Sequence, residues 1–286
     1  MRILVTGATG QVGRRFVPRL MQQAGRGGDT VRLLVRDEAR AEPLTRLGAQ
    51  AVAGELRDGA DVRKAVDGVD AVVNIAASFR GVPDEEAWAV NRDAALDLGR
   101  AAVEAGVHRF VQVSTNLVYG AGRGRPAVED DQPLSGGRHP GAAYPDSKWA
   151  AETGLLALDG LDVRIGRLAF VYGEGDPHLA QVVRWAEGWA GHKRLQMVHH
   201  ADVGQGLLRL LYAPGLAGRT YNIADDAPVS SVELLWLNGV EPPAEAADRQ
   251  VEDPWDGIVS TARIRDELGF RPIHPSVWTA RDAGAL

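Results

Sequence analysis

Met1-Arg2-Ile3-Leu4-Val5-Thr6-Gly7-Ala8-Thr9-Gly10-Gln11-Val12-Gly13 opens the chain, and its reading decides the fold. Residues 2–6 form a short apolar run that suits a strand buried on both faces. Three glycines spaced Gly-x-x-Gly-x-x-Gly follow it. Gly7 permits a tight turn, Gly10 lets the backbone approach a pyrophosphate, and Gly13 lets a following helix pack close to the strand. The N-terminus of that helix offers N–H groups and partial positive charge to phosphates. Because the glycines follow a strand and open a helix, the spacing carries meaning. It predicts a dinucleotide site formed by Gly7, Thr9, Gly10, Gln11, Val12 and Gly13.

Outward from this turn, apolar runs alternate with segments of helical period through Val171, the pattern of βαβ units around a parallel sheet. Strands are predicted over Arg2 to Thr6, Val31 to Val35, Ala49 to Ala53, Ala71 to Ile75, Phe110 to Ser114 and Val163 to Leu168. Helices are predicted over Gln11 to Gln23, Ala60 to Val66, Glu86 to Ala105 and Ala143 to Leu158. Gly120 to Gly141, rich in Gly, Pro and Arg, reads as a loop. A loop of that length is usually functional or disordered. After Tyr172 the alternation weakens, leaving helical patterns at Ala180 to Gly191 and Val203 to Tyr212 and a short strand near Thr220 to Ile223. The expected fold class is α/β: a Rossmann-type doubly wound parallel sheet over residues 1–171, with a smaller C-terminal α/β substrate lobe over 172–286. Interleaving of the two is left open.

The 286 residues carry 32 Lys plus Arg against 38 Asp plus Glu, a formal net charge of -6, which argues against nucleic acid or an anionic membrane as partner. Cysteine is absent, so disulfides, thiolate catalysis and Cys-ligated metal are excluded. No signal peptide is legible at the N-terminus, and no stretch approaches the roughly 18 apolar residues of a membrane span. The expected location is the cytoplasm. His199-His200 resembles a metal pair, but neighbours on a strand point to opposite faces, so no metal site is expected.

At the end of the second strand stands Arg36, where an acidic residue would hydrogen-bond the adenosine ribose of NAD. A guanidinium, with Arg40 one turn on, suits a ribose 2′-phosphate instead. NADP is therefore favoured, while Asp37 or Glu38 within reach of the ribose keeps NAD open. Glu55 and Leu56 follow the third strand where the adenine would rest, and Ala76 and Ala77 follow the fourth, small enough for a cofactor to pass; strand-end packing explains either pair equally well. Ser78, next in the chain, is expected on the substrate side.

Tyr144-Pro145-Asp146-Ser147-Lys148 puts a phenol and an ammonium four residues apart on one helix face. A nearby cation favours the phenolate, as a general acid/base for carbonyl chemistry requires. Ser114 and Thr115 end the fifth strand at the carboxyl edge of the sheet, where ligands of such folds bind. Either hydroxyl can hold a substrate oxygen, or simply satisfy strand-end backbone groups.

Together the glycine turn, Val90-Asn91-Arg92, Ser114 to Gly120, Tyr144 with Lys148, and Arg167 to Gly173 resemble the extended short-chain dehydrogenase/reductases, the NAD-dependent epimerase/dehydratase family. Val198-His199-His200-Ala201-Asp202-Val203, Tyr221-Asn222-Ile223 and Glu267-Leu268-Gly269-Phe270-Arg271-Pro272 resemble its C-terminal landmarks, so the likeness covers essentially the whole chain. The resemblance implies an NAD(P)-dependent oxidoreductase with Tyr144 as central acid/base and Lys148 as its pKa modifier and nicotinamide-ribose contact. It implies Thr115 as the hydroxyl on the substrate oxygen, with Ser114 as the fallback. Asn91 would lie near the cofactor and active site, although a buried polar helix residue serves equally as a description.

In the family's dehydratases an Asp-Glu pair follows the catalytic threonine; here those positions hold Asn116 and Leu117, which disfavours dehydration. Its nucleotide-sugar enzymes usually carry asparagine where this chain has Phe170, whose ring offers an apolar wall or simple packing. Ser78, Asn116 and Phe170 are thus the expected substrate contacts. The favoured activity is an NADPH-dependent ketoreductase acting on a sugar-like or secondary-metabolite ketone. A nucleotide-sugar 4-epimerase with bound NAD is the alternative, and a non-catalytic NADP-binding regulator a second. The resemblance further implies a homodimer through the helices at Glu86 to Ala105 and Ala143 to Leu158, although the face with Ala94, Leu98 and Ala101 would equally serve to cover the sheet. Arg123, Arg125 and Arg138 are candidates to grip an anionic substrate or to be solvated at the surface.

Overall fold

Apolar runs become strands, and six of them, all largely buried except the third, follow from the N-terminus in the computed structural model, which describes residues 1–79, 81–133 and 143–286. They are β1 (Arg2–Thr6), β2 (Thr30–Val35), β3 (Gln50–Ala53), β4 (Ala71–Asn74), β5 (Arg109–Thr115) and β6 (Asp162–Leu168). With Thr220–Ile223 they form one seven-stranded parallel sheet in the order Thr220–Ile223, β6, β5, β4, β1, β2, β3. Ile3 is in register with Val31 of β2 on one side and Ala71 of β4 on the other. The chain therefore leaves β1 in one direction and returns on its far side, which makes the carboxyl end of β1 the topological switch point where ligands of doubly wound sheets bind.

Helix α1 (Gly13–Gly27) buries Phe16, Val17 and Leu20. One face of the sheet is closed by α3 (Gly59–Val66), α5 (Ala94–Glu104) and α6 (Ala143–Leu156), whose Val62, Val66, Leu98, Ala102 and Leu155 pack with Leu4, Val72, Phe110 and Ile165. Leu98 and Ala101 belong to this core and Ala94 is buried, so the apolar face of α5 is spent within the chain.

Local chemistry explains where the observed elements differ from the expected ones. The helix α2 (Glu38–Thr45) is not among the helices expected from sequence, because it buries only Ala41 and Leu44 and contains Pro43. Asp37 starts it by accepting the backbone N–H of Ala39 at 2.9 Å. The stretch expected as one helix over Glu86 to Ala105 is three pieces: α4 (Asp84–Trp88), a π-helical turn (Ala89–Asp93) and α5. Single π turns inside helices often mark functional sites.

The described chain splits into two compact units. The first comprises Met1–Val118, His139–Arg167 and Gly204–Thr220, and the second Tyr119–Arg138, Leu168–Val203 and Tyr221–Leu286. In the second, Phe170–Tyr172 pairs in parallel with Met197–His199, and Tyr172, Met197, Leu234 and Val277 share a core. The helical pattern at Ala180 to Gly191 is realised as two short turns, His178–Gln181 and Val183–Ala186. The helix Ser231–Leu237, not expected from sequence, is started by a capping box between Ser230 and Glu233. Of the expected Gly120 to Gly141 loop, residues 134–141 and hence Arg138 lie outside the described residues. Within 120–133, Arg125 grips Asp131 with two nitrogens at 2.8 and 2.7 Å, and Arg123 donates to the carbonyls of Tyr119 and Gln132.

The glycine turn depends on close backbone approach. Gly7 has φ +67°, and a Cβ there would stand 2.5 Å from the Ala76 nitrogen; at Gly13 a Cβ would collide with the Gly7 carbonyl and lie 2.6 Å from the Ala8 Cα. Gly13→Ala must therefore push α1 off β1. The expected result is a loss of about 1–3 kcal/mol in stability by denaturant unfolding, together with at least tenfold weaker dinucleotide binding.

Candidate active site

A buried polar ladder crosses the sheet interior toward the carboxyl ends of β1, β4 and β5. Thr6 Oγ1 donates to Asn74 Oδ1 at 2.5 Å, Asn74 Nδ2 to Gln112 Oε1 at 2.8 Å, and Gln112 Nε2 to the Val113 carbonyl at 2.8 Å. Lys148 Nζ, from α6, donates to the same carbonyl at 2.7 Å. Every polar group of this ladder is buried, so each must find a partner inside the protein. The result is a fixed path of hydrogen bonds from the residue before Gly7 to the ammonium of Lys148.

Burial lowers the Lys148 pKa to about 8, and the negative charge of Glu152 opposes that fall. Glu152 follows one turn later on α6 and is itself buried. It is paired with Arg167 of β6, whose Nη2 and Nε lie 2.6 and 3.0 Å from Glu152 Oε2. The Arg167 guanidinium also lies over the Trp149 ring, 5.3 Å from its centroid.

Tyr144 opens this helix with its ring against Phe79, the centroids 4.4 Å apart. Phe79 is held there through its neighbour. Asn91, buried in the π-helical turn, accepts the Ser78 N–H at 2.8 Å and donates to the Ser78 carbonyl at 2.9 Å and to Ser147 Oγ at 3.2 Å. Ser147 Oγ in turn donates to the Tyr144 carbonyl at 3.0 Å. One amide thus links the segment after β4 to the first turn of α6.

The two hydroxyls at the end of β5 have different surroundings. Ser114 Oγ donates to Glu152 Oε1. Thr115 Oγ1 accepts the Leu117 N–H at 3.2 Å, which leaves its own proton to be offered elsewhere. Asn116 is buried, whereas Leu117 is 47% exposed.

On the cofactor side, Arg36 and Arg40 are exposed beyond the end of β2, and neither has a hydrogen bond or ion pair among the described residues. Asp37 is occupied in capping α2. The Glu55 N–H donates to Asp61 Oδ2 at 2.8 Å, while Leu56 packs on the core. Ala76 lies beside Gly7, and Ala77 is exposed. In the second unit, Phe170 packs on the core there with its ring 5.9 Å from that of His178. His199 and His200 bond different groups, the Ala285 carbonyl and Asp176. No group of three or more His, Cys, Asp or Glu among the described residues is arranged to hold a metal ion, and no helix among them is long and apolar enough to cross a membrane.

Residues 3–224 match the model of the NAD dependent epimerase/dehydratase family. The chain belongs to that family. It is 30% identical to a 4-hydroxy-2-methyl-3-oxo-4-farnesyl-3,4-dihydroquinoline-1-oxide ketoreductase of Stigmatella aurantiaca, over 92% of this chain and 83% of the relative. It is 31% identical to a dTDP-glucose 4,6-dehydratase of Streptomyces griseus, over 94% and 89%. Among solved structures, DesIV, a dTDP-glucose 4,6-dehydratase from Streptomyces venezuelae with NAD bound, superposes with a TM-score of 0.76 at 28% identity, covering 99% of this chain and 97% of that one. As an extended short-chain dehydrogenase/reductase, the chain is an oxidoreductase of an NAD-dependent family, and its turn fits a dinucleotide: the backbone of Ala76 excludes a side chain at Gly7 and that of Gly7 and Ala8 excludes one at Gly13, the tight turn and close helix packing that set the N-terminus of α1 at a pyrophosphate site.

Phe79, Ser147, Glu152 and the Asn74–Gln112 pair are the site residues that sequence reasoning missed. Glu152 left a signal, since it continues the Tyr144, Lys148 spacing of four along one helix face. The others are defined by contacts between distant segments. Asn91→Asp keeps the acceptor for the Ser78 N–H but loses the donor to the Ser78 carbonyl and sets a carboxylate against it. The expected cost is about 1–3 kcal/mol by urea unfolding, with a fall in kcat, because Phe79 loses its anchor beside Tyr144.

Proposed function

We propose that the chain is an NADPH-dependent ketoreductase acting on a cyclic, sugar-like or secondary-metabolite ketone. The observation that carries this reading is the composition of the site around Tyr144 and Lys148: Thr115 is followed by Asn116 and Leu117, neither of which can move a proton as an elimination requires. Kinship with the Stigmatella aurantiaca ketoreductase supports the same reaction class. The exposed Arg36 and Arg40, without partners among the described residues, support a 2′-phosphate and hence NADPH.

In this reading the glycine turn and the N-terminus of α1 hold the pyrophosphate, with Arg36 and Arg40 on the 2′-phosphate. Glu55, Leu56, Ala76 and Ala77 line the rest of the cofactor path, and Lys148 contacts the nicotinamide ribose. When bound, the reduced nicotinamide supplies a hydride to the carbonyl carbon. Thr115 donates a hydrogen bond to the carbonyl oxygen, and Tyr144 delivers the proton that oxygen takes up. The Lys148 ammonium stabilises the phenolate left behind. Asn91 keeps the segment carrying Ser78 and Phe79 in place, and Ser78 and Asn116 are the proposed substrate contacts. The enzyme would act in the cytoplasm as a homodimer.

A second reading, epimerisation of a nucleotide sugar through transient oxidation, is favoured by the NAD found in DesIV. Turnover separates them. Purified protein should oxidise NADPH in the presence of a panel of cyclic ketones, and Tyr144→Phe should lower kcat by about 10²–10⁴. Arg36→Ala should raise the KM for NADPH about tenfold or more while leaving that for NADH nearly unchanged. Tightly bound NAD together with an isomerised nucleotide sugar, and no net consumption of NADPH, would point to the epimerase.

A further inference from the structure

Glu152 takes no direct part in the chemistry above, yet it is only 1% exposed and lies on the helix face of Tyr144 and Lys148. Three donors converge on it: Ser114 Oγ, Arg167 Nε at 3.0 Å and Arg167 Nη2 at 2.6 Å. A buried ion pair is a poor device for stability, since apolar residues of similar volume usually do as well or better. The charge therefore needs another explanation, and Lys148 provides one. Its ammonium is buried, and the Val113 carbonyl accepts a hydrogen bond from one of its three N–H groups without contributing a net charge.

The groups around Lys148 leave Glu152 as the counter-charge. On α6 the neighbouring titratable side chains are Tyr144, Asp146 and Glu152. β5 contributes the Val113 carbonyl and the Ser114 hydroxyl, β6 contributes Arg167, and the π-helical turn contributes the neutral Asn91 through Ser147. Arg92 and Asp93 of that turn pair with each other at 2.6 Å near the surface.

We propose that Glu152 is a positioning residue of the active site: locked by Arg167 and Ser114, it supplies the charge that keeps Lys148 an ammonium and ties the strand carrying Thr115 to the helix carrying Tyr144. The inference rests on the reading of Tyr144 and Lys148 as the acid-base pair. Its physical content concerns one proton on one side chain. Burial alone brings the lysine down toward the working pH, and removal of the Glu152 charge brings it lower, so that the neutral amine appears where the ammonium is needed.

The chain contains three lysines, Lys64, Lys148 and Lys193, so the ¹³C-labelled side chains can be followed individually by NMR, with K64R and K193R providing assignments. Lys148 should titrate near 8 in the wild type, about one unit lower in E152Q, and close to the wild-type value in E152D, which keeps the charge. The basic limb of kcat/KM should move with it. Lys148 titrating at the wild-type pH in folded E152Q would overturn the proposal, as would an equal shift in E152D. If E152Q fails to fold because Arg167 is left unpaired, the double variant E152Q/R167M removes both charges; loss of the Arg167 cation offsets part of the effect, so the shift there should be smaller but still downward, and an unchanged or raised titration is equally fatal. A protein that reduces no ketone would sink the reductase reading, while the titration still decides the role of Glu152.

Discussion

The carbonyl of Val113 receives two donors inside the sheet, the Gln112 side chain at 2.8 Å and the Lys148 ammonium at 2.7 Å. Much of the site follows from the need to satisfy that ammonium in a dry interior. A buried charge must be paired and hydrogen-bonded, and here the obligations radiate outward. Through Gln112 and Asn74 they reach Thr6 and the glycine turn; through Glu152 they reach Ser114, Arg167 and the sixth strand. The glycine turn and the Tyr144–Lys148 helix are thereby set on one frame, as the proposed chemistry requires of a preorganised site.

A second arrangement acts from the opposite side. The π-helical turn at Ala89–Asp93 carries Asn91, whose amide holds both polar groups of Ser78 and touches Ser147. Backbone groups in a connecting segment would otherwise rely on water, and a segment free to move would carry Phe79 away from Tyr144. The irregular turn and the buried amide serve one purpose: they hold the segment after the fourth strand to the helix that carries Tyr144 and Lys148.

Much of this was legible in the sequence. Strand positions followed from continuous apolar runs, and the turn from glycine spacing, because those signals are local. Family membership followed from Tyr144 and Lys148 taken with the glycines and the Arg167 to Gly173 segment. What escaped was nonlocal or locally weak. Helix α2 buries only two side chains and carries a proline, so no periodicity announces it. The π turn interrupts a helix whose apolar pattern runs on either side. The elements after Tyr172 are short and rely on caps such as the Ser230–Glu233 box more than on amphipathic period. Asn91 was singled out from sequence, but its partner, the backbone of Ser78, could be recognised only once the chain was folded.

The central claim is that Tyr144 and Lys148, on a frame built for a dinucleotide, carry out net reduction of a carbonyl. The most direct measurement is the fate of isotope. Incubated with NADPH bearing deuterium at the transferable C4 position and a ketone that it turns over, the enzyme should give an alcohol with one deuterium on the carbinol carbon and one equivalent of NADP⁺ per product. An unlabelled product, or a labelled one formed at the wild-type rate by Tyr144→Phe, would contradict the account.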